Sequence, residues 1–450
     1  MSAEGATSSA GAMNFARNAS STALTQIVRT FLGLALAVIL ARWLSESDRG
    51  IYAVIATLVV FGDQLSQLGM RIAVIYRMSL PGVSRARAVG AAFQWTIAAF
   101  ALLALFALVF IDPLRERFLL GAPAVFVVLA LVIAACDSFS GLSDAVARGI
   151  DRFDLRNADQ ISIATVTLAA TALALVVFHG GVLETLLATA VGRVAVLAVF
   201  VGLTLRQTGI SWSPDRTELR ESLDFGWRGH TQTLLGKLHE RLDVMLMAAL
   251  QVDPAQIAVY AVAVSVIDRL RVVPDSVSSA LLPKLATLND SEKGPYAARV
   301  TRHLMFWVFL SGVALALLAP FLVPILFGAP YAASVTPLYV LLPATAMLTL
   351  RWMIGNFFIA VGRPGFNARV QAISVGVNLV ANLWAIPRFG VVGAAFASLL
   401  SYGVEAVLTL AMFRRVTGCS LREILVAGRG DIQPYLGQMR RLRERLGGAQ

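Results

Sequence analysis

Twelve long apolar segments follow one another along this 450-residue chain, and no other feature of the sequence constrains the fold as strongly. Most of them reach the roughly 20 residues that an α-helix needs to cross the hydrocarbon of a bilayer. Charged residues make up 14% of the chain, whereas a soluble domain carries about 25%. The sequence therefore predicts an all-α polytopic membrane protein. The predicted spans are 22–42, 49–69, 88–111, 123–143, 158–178, 183–205, 223–249, 256–283, 302–327, 334–360, 366–386 and 391–413.

Basic residues are distributed unevenly between the loops that separate these spans. If the N-terminus is cytosolic, the inner loops and the C-terminal tail hold most of the lysines and arginines outside the spans, and the outer loops hold few. This asymmetry is the positive-inside pattern, and it predicts that both termini are cytosolic. The net charge of +11 then indicates contact with anionic membrane lipids rather than with nucleic acid.

The spans divide into two lobes of six, separated by one long polar stretch. Beyond the last span, an apolar stripe within 436–446 runs beside several arginines, a pattern typical of an amphipathic helix on a membrane surface. The predicted organisation is a disordered cytosolic tail at 1–13, an N-lobe at 14–205, a cytosolic linker at 206–222, a C-lobe at 223–413 and a basic cytosolic tail with this amphipathic helix at 414–450.

The two lobes also resemble each other weakly in sequence. The Tyr-Ala-Val triplet at 52–54 aligns with the same triplet at 260–262, and at the same offset Arg29 aligns with Lys237. Six spans per lobe make this a parallel repeat, with its pseudo-symmetry axis along the membrane normal. We therefore predict two pseudo-symmetric lobes around a central cavity.

Charged residues inside the predicted spans are the candidates for function. A charge in the hydrocarbon costs about 2.5–3.5 kcal/mol on insertion scales, so it usually faces a cavity or a partner. The basic residues indicate an anionic substrate, and the aligned pair Arg29 and Lys237 is predicted to clamp it. Asp63 and Asp243 are the candidates for binding a coupling proton or sodium ion. The candidate substrate-binding residues are Arg29, Lys237, Arg269, Arg271 and Arg351.

These charges also have structural interpretations. Arg29 could snorkel to the cytosolic headgroups. The polar stretch around Lys237 could be internally neutralised, and the acids around Arg271 could form ion pairs that staple helices together. Arg351 has no acid within four residues on either side, which favours a cavity or a phosphate beside it.

Metal and covalent chemistry find little support in the sequence. The chain has two cysteines and four histidines, and their spacing matches no set of metal ligands. No metal or other cofactor is therefore predicted, apart from the coupling ion. Every predicted outer loop is short, which leaves no room for a soluble catalytic site and argues against an enzyme.

Four stretches, taken in order, resemble a known family. ARWLSESDRGIYA at 41–53 is followed by LGMRIA at 68–73, RLDVML at 241–246 lies in span 7, and PRFGVVGAA at 387–395 leads into span 12. Together they resemble the Wzx-type polysaccharide flippases, which share a superfamily with the MATE multidrug transporters and the lipid II flippases. Asp243 is the one candidate whose place in the family's pattern carries over.

The resemblance implies a MATE-like fold and a substrate. The expected activity moves an undecaprenyl-pyrophosphate-linked oligosaccharide, a repeat unit of O-antigen, capsule or exopolysaccharide, from the cytosolic to the periplasmic leaflet of the bacterial inner membrane by alternating access. A polysaccharide polymerase and glycosyltransferases are the expected protein partners. Two alternatives stay open: a MATE-type cation-coupled antiporter of drugs or other solutes, and a membrane-embedded enzyme of the same pathway. The excess of basic residues in the spans favours the flippase over the antiporter.

Overall fold

The structure, a computed structural model, describes the backbone of residues 3–213 and 215–426, and their side chains from residue 21 onward except that of residue 228. Every regular element within these residues is helical, which confirms the all-α prediction. A π-helical turn at Leu173–Val177 follows α7, and a 3-10 turn at Ala329–Ser334 precedes α13. The helices are α1 (Ala3–Trp43), α2 (Glu46–Gln67), α3 (Met70–Ser79), α4 (Arg85–Val109), α5 (Ile111–Phe118), α6 (Ala124–Gly149), α7 (Phe153–Ala172), α8 (Val182–Thr208), α9 (Arg216–Ala249), α10 (Pro254–Leu270), α11 (Val272–Ala286), α12 (Asp290–Phe327), α13 (Val335–Ala360), α14 (Pro364–Thr417) and α15 (Leu421–Leu425).

Within the described part of the chain, 8 helices are long and apolar enough to cross a membrane, or 9 if the bent pair α2 and α3 forms one span. The remaining predicted spans differ from these in composition or length. Helix α9 carries many charged residues, α10 and α11 have only 17 and 15 residues each, and α14 joins two predicted spans in 54 residues. The helices are consistent with twelve spans, and the count itself stays a prediction.

A glycine divides α14 into two halves that fold back on each other. Gly390 has a φ of 55°, a left-handed conformation that glycine adopts without steric cost. Gly393 packs so closely on Ala385 that a Cβ at this position would overlap the Ala385 carbonyl oxygen. The stretch at 387–395 therefore forms a tight turn between two neighbouring spans.

The second half of the chain repeats the packing of the first. Helix α1 packs on α7 and α2 packs on α6, and in the same way α9 packs on α14 and α10 packs on α13. Helices α2 and α10, which carry the aligned Tyr-Ala-Val triplets, each give way to a second helix after a short break. The packing therefore agrees with two pseudo-symmetric lobes.

The lobes meet backbone to backbone at two glycines of one broken span. A Cβ on Gly50, in α2, would overlap the carbonyl oxygen of Pro254 at the start of α10. A Cβ on Gly69, between α2 and α3, would overlap the carbonyl oxygen of Gly226 in α9. Both glycines belong to the stretches that resemble the flippase family, so part of that pattern is explained by close contact between the lobes.

Helices extend further at the chain's junctions than the sequence indicated. Helix α1 begins at Ala3, so the backbone over 3–13 is helical, whereas a disordered tail was predicted for 1–13. Alanine, the strongest helix former, is frequent there. Helix α9 begins at Arg216, inside the predicted linker, and Asp215 caps it by accepting hydrogen bonds from the N–H groups of Thr217 and Glu218.

The C-terminal tail starts with a docked helix. Helix α14 continues to Thr417, and α15 follows after a short turn. Ile424 of α15 is fully buried in an apolar cluster that includes Leu285 and Phe413. The amphipathic helix predicted within 436–446 lies outside the described residues.

Candidate substrate-binding site

Two of the candidate cations lie where α1 of the N-lobe contacts α10 of the C-lobe. The guanidinium of Arg269, in α10, reaches α1, where its Nη2 lies 3.2 Å from the position of a Cβ on Gly33. Arg29 stands one turn before Gly33 on α1, hence on the same side of that helix. Neither arginine has a carboxylate within ion-pairing distance among the described side chains, and Nε of Arg269 is buried without a hydrogen-bond partner. Neither charge is therefore neutralised by a direct ion pair with a described carboxylate.

A second group of arginines surrounds Arg29 in the N-lobe. Its Nη1 donates to Oε1 of Gln160 at 2.9 Å, and the amide of Gln160 donates to Asp144 at 2.8 Å. Asp144 pairs with both Arg148 and Arg156, each at 3.0 Å. In the sequence, these two arginines contribute to the charge asymmetry that predicts the orientation. They lie beside Arg29 together with the carboxylate of Asp144, which offsets part of their positive charge.

Lys237 belongs to a different cluster, in which positive charge is already neutralised. Its Nζ lies 2.8 Å from Glu240, and the other carboxylate oxygen of Glu240 is 2.7 Å from Arg271. Arg271 also lies 3.4 Å from Asp268 and 4.5 Å from the ring centroid of Trp352. This arrangement agrees with the structural interpretation of both basic residues, and the described contacts do not bring Lys237 to Arg29.

Arg351 has an acidic partner that is distant in sequence. Its Nε lies 2.6 Å from Oε1 of Glu405, and the exposed fractions of the two side chains are 9% and 1%. The absence of an acid near Arg351 on its own helix was thus a misleading sign, because Glu405 reaches it from the second half of α14. Arg351 is nevertheless beside a cavity, as the sequence analysis expected.

This cavity has a volume of about 480 Å³ and lies within the C-lobe. Arg351 and Trp352 of α13 line one side of it, and Asp275 of α11 lines another. Because the ring of Trp352 also stacks on Arg271, the cavity connects the cluster around Lys237 with that around Arg351. Further lining residues are Gln232, Ser278, Ser279, Leu282, Pro283, Gly355, Asn356, Ile359 and Asn367.

A buried histidine completes the group around Arg351. Nε2 of His239 lies 2.9 Å from Oγ of Ser401, and Nδ1 lies 3.6 Å from Oε2 of Glu405. Ser374 donates to the carbonyl oxygen of Ser401 at 2.7 Å and so links the two halves of α14. His239 falls in the polar stretch around Lys237, but an analysis based on formal charges passes over a neutral histidine.

The two candidate coupling acids are paired in separate places. Asp63 accepts from Arg71 Nη1 at 3.2 Å and from Ser138 at 3.2 Å, within the N-lobe. Asp243 accepts a hydrogen bond from the hydroxyl of Tyr260, in a small C-lobe cavity that Glu240 also lines. Both carboxylates are buried, so a change in their ionisation would alter an existing pair.

Comparison with known proteins decides the family. Residues 39–336, more than half of the chain, match the family described as polysaccharide biosynthesis protein. The chain belongs to this family. The described residues outside the match, 3–38 and 337–426, are also mostly helical. Arg269 lies within the matched residues, and Arg29 lies ten residues before they begin.

Individual relatives include two proteins of Haloferax volcanii. The chain is 25% identical over 399 residues to the probable flippase AglR, and the alignment covers 85% of this chain and 80% of AglR. It is 37% identical over 84 residues to the probable low-salt glycan biosynthesis flippase Agl15, and this alignment covers 19% of this chain and only 18% of Agl15. The inward closed structure of the lipid II flippase MurJ superposes with a TM-score of 0.72 at 13% identity, over 88% of this chain and 89% of MurJ. The last likeness confirms the fold that the resemblance implied.

Proposed function

We propose that this protein moves a lipid-linked oligosaccharide from the cytosolic to the periplasmic leaflet of the bacterial inner membrane, acting as a transporter and not as an enzyme. The relatives described as flippases support the substrate class. The observation that carries the proposal is that Arg269 of the C-lobe reaches α1 one helical turn from Arg29, and that neither arginine has a carboxylate in ion-pairing distance among the described residues.

A pyrophosphate group suits this pair of arginines. It must lose much of its water on entering the gap, and charge-assisted hydrogen bonds from at least two cations compensate that loss. Because Arg29 and Arg269 belong to different lobes, rocking of the lobes changes their separation and weakens the contacts on release. The polyprenyl tail can stay in the surrounding lipid while the pyrophosphate moves through the gap.

The other candidate cations have secondary roles in this proposal. Lys237 and Arg271 share Glu240, and Arg351 is held by Glu405. An anion can bind these cations only by displacing the carboxylates with which they are paired. The clamp predicted from the repeat, Arg29 with Lys237, is therefore revised to Arg29 with Arg269. Asp63 and Asp243 stay candidates for a coupling proton or sodium ion, and glycosyltransferases and a polymerase stay the expected partners.

Reconstitution into liposomes tests the proposal. The probe is a fluorescent undecaprenyl-pyrophosphate-linked oligosaccharide, and the fraction that becomes accessible in the opposite leaflet is measured over time. Arg29→Ala and Arg269→Ala should each slow transport at least about tenfold, because one charge-assisted contact is worth about 1.5–3 kcal/mol. Arg29→Lys and Arg269→Lys should keep part of the activity.

Arg115→Ala is the matched control, since the ion-pair partner of this arginine among the described residues is Asp112 of the same helix, α5, and the arginine should be dispensable. Wild-type transport by both alanine variants would show that the clamp is wrong. Ion-driven efflux of a cationic dye by a wild-type protein that does not move the lipid-linked probe would favour the antiporter instead.

A further inference from the structure

The carboxylate of Glu405 stands between two nitrogen bases deep in the C-lobe. On one side the Arg351 guanidinium contacts its Oε1 at 2.6 Å, and on the other the imidazole of His239 lies 3.6 Å from its Oε2. The exposed fractions of the histidine and glutamate side chains are 2% and 1%. Water therefore has little part in deciding which base the carboxylate pairs with.

Charge balance in this group depends on the histidine. When the imidazole is neutral, Glu405 and Arg351 compensate each other. When the imidazole carries a proton, two cations compete for one buried carboxylate. The carboxylate then attracts each cation less strongly than it would attract one alone. Arg351 then has positive charge to offer to the cavity of about 480 Å³ that it lines.

We propose that His239 and Glu405 form a proton-binding site that controls whether Arg351 is available to an anion in the adjoining cavity. The proton comes from solvent and returns to it, and Arg351 stays protonated throughout. For the identity of the anion, a phosphate head group, this inference rests on the proposed function. The proton site itself rests on the buried geometry of the three side chains.

The remaining ionisable groups around His239 are already engaged. Glu240, on the same helix, is held by Lys237 and Arg271. Tyr402 of α14 packs its ring 4.4 Å from the imidazole centroid. From α13 the charged group is Arg351, and from α14 it is Glu405. Among the described side chains, Glu405 is thus the carboxylate that can respond to a proton on His239.

Proton and anion binding should reinforce each other. A proton on His239 draws Glu405 away from Arg351, which favours the anion. An anion on Arg351 leaves Glu405 to His239, which favours the proton. By thermodynamic linkage each raises the affinity of the other by the same factor. Anion affinity should therefore rise as the pH falls, and anion binding should be accompanied by proton uptake.

Calorimetric titration of the purified full-length protein with inorganic pyrophosphate tests this inference. Titrations at one pH in two buffers of different ionisation enthalpy give the number of protons taken up per anion bound. Pyrophosphate itself exchanges protons, but this contribution is common to all variants and cancels in differences. The wild type should take up more protons than His239→Gln, and its affinity should rise about tenfold more between pH 8 and pH 6 than that of the variant.

His230→Gln is the matched control, because His230 is also buried on α9 but is not paired with Glu405. It should behave like the wild type. Equal proton uptake by His239→Gln and the wild type would overturn the proposal, and so would a loss of uptake in His230→Gln of the same size as in His239→Gln.

A second measurement covers the case in which His239→Gln does not fold. A variant with glutamine at 179, 230 and 303 leaves His239 as the only histidine, and its imidazole NMR signals can be followed against pH with and without pyrophosphate. The midpoint should move to higher pH with pyrophosphate, and an unchanged midpoint despite binding would overturn the proposal. If pyrophosphate binds neither protein at any pH, the proposed function is contradicted instead. Whether or not pyrophosphate binds, the proposed proton site is contradicted if the signals of His239 show no titration between about pH 4 and pH 9.

Discussion

Arg77 of α3 and Glu218 of α9 form a two-point ion pair that joins the N-lobe to the helix leading into the C-lobe. Nε and Nη2 of the arginine lie 2.7 and 2.6 Å from the two carboxylate oxygens, and the exposed fractions of the side chains are 12% and 7%. Beside the pair, the rings of Tyr76 and Phe225 stack with centroids 3.9 Å apart. The start of α9 is therefore held firmly on the first lobe.

Removing one partner of this pair should destabilise the protein strongly. Arg77→Met leaves Glu218 buried without its ion-pair partner, which typically costs about 3–5 kcal/mol. Glu218→Gln should cost less, because Arg77 also lies 2.5 Å from Glu221. Replacing both residues by methionine should recover much of the loss. The thermal unfolding midpoint in detergent measures the effect. Asp112→Asn, which removes the more exposed pair with Arg115, should change it little, and a similar drop there would contradict the argument.

Gly50→Ala should reduce both stability and transport. The new Cβ would overlap the backbone of Pro254, which cannot turn aside as a flexible side chain can, and overpacking of this kind costs about 1–3 kcal/mol. Gly312→Ala, in α12, is the control because a Cβ there meets no atom within 4 Å. That variant should be neutral or slightly more stable, since alanine favours helix. Equal behaviour of the two variants in the liposome assay and in thermal unfolding would show that the close approach is unimportant.

Lys237→Met should impair transport less than Arg269→Met. The positive charge of Lys237 is already used by Glu240, whereas Arg269 has no carboxylate within ion-pairing distance among the described residues. Initial rates in the liposome assay, at equal protein density, measure the difference. A larger defect in Lys237→Met would restore the clamp that the sequence repeat suggested.

Cysteine labelling should place Asp290 in the cytosol and Asp112 in the periplasm. Both side chains are exposed, at 90% and 68%, so a cysteine at either position is accessible to a membrane-impermeant maleimide. After Cys136 and Cys419 are replaced by serine, Asp112→Cys should react in intact cells. Asp290→Cys should react only after permeabilisation, because the loop before α12 is predicted to be cytosolic. The reverse pattern would show that the orientation is wrong.

Deletion of residues 430–450 should leave export of surface polysaccharide largely intact. The last described packing contact of the tail is made by α15, where Ile424 is buried and Arg302 donates to the carbonyl oxygen of Glu423 at 2.7 Å. A deletion beginning at residue 418 removes that contact and should lower the unfolding midpoint as well. Loss of all surface polysaccharide with the shorter deletion, at normal expression, would show that the tail takes part in transport.

The fold was largely predictable because hydrophobicity along the chain reports each span independently. The breaks within the spans were less predictable than the spans themselves. Gly69 and Gly390 adopt left-handed backbone conformations that a hydropathy profile does not register. The repeat predicted two pseudo-symmetric lobes, and the packing of the helices agrees with that.

The site was harder to predict because it depends on how each helix is rotated. Aligning Arg29 with Lys237 matched their positions along the chain but not their contacts, and Lys237 is paired with Glu240 in the structure. Searching four residues either side of Arg351 could only find a partner on its own helix, whereas Glu405 comes from another. A search among all buried acids and histidines would have included Glu405 and His239 as candidates without saying which arginine they approach.

The two glycine contacts lie near opposite ends of α2 and give the lobes two points about which they could pivot. Gly50 and Gly69 are separated by 19 residues along α2 and its end, a length of about 28 Å at 1.5 Å per residue. If the lobes pivot on one contact, a turn of about 10° parts the other by about 5 Å, close to one helical turn. Because each contact joins backbone to backbone, side-chain rearrangement cannot make room for a closer approach of the lobes there. The lobes would then tilt about one end at a time, so that the passage opens on one side while the opposite side stays shut.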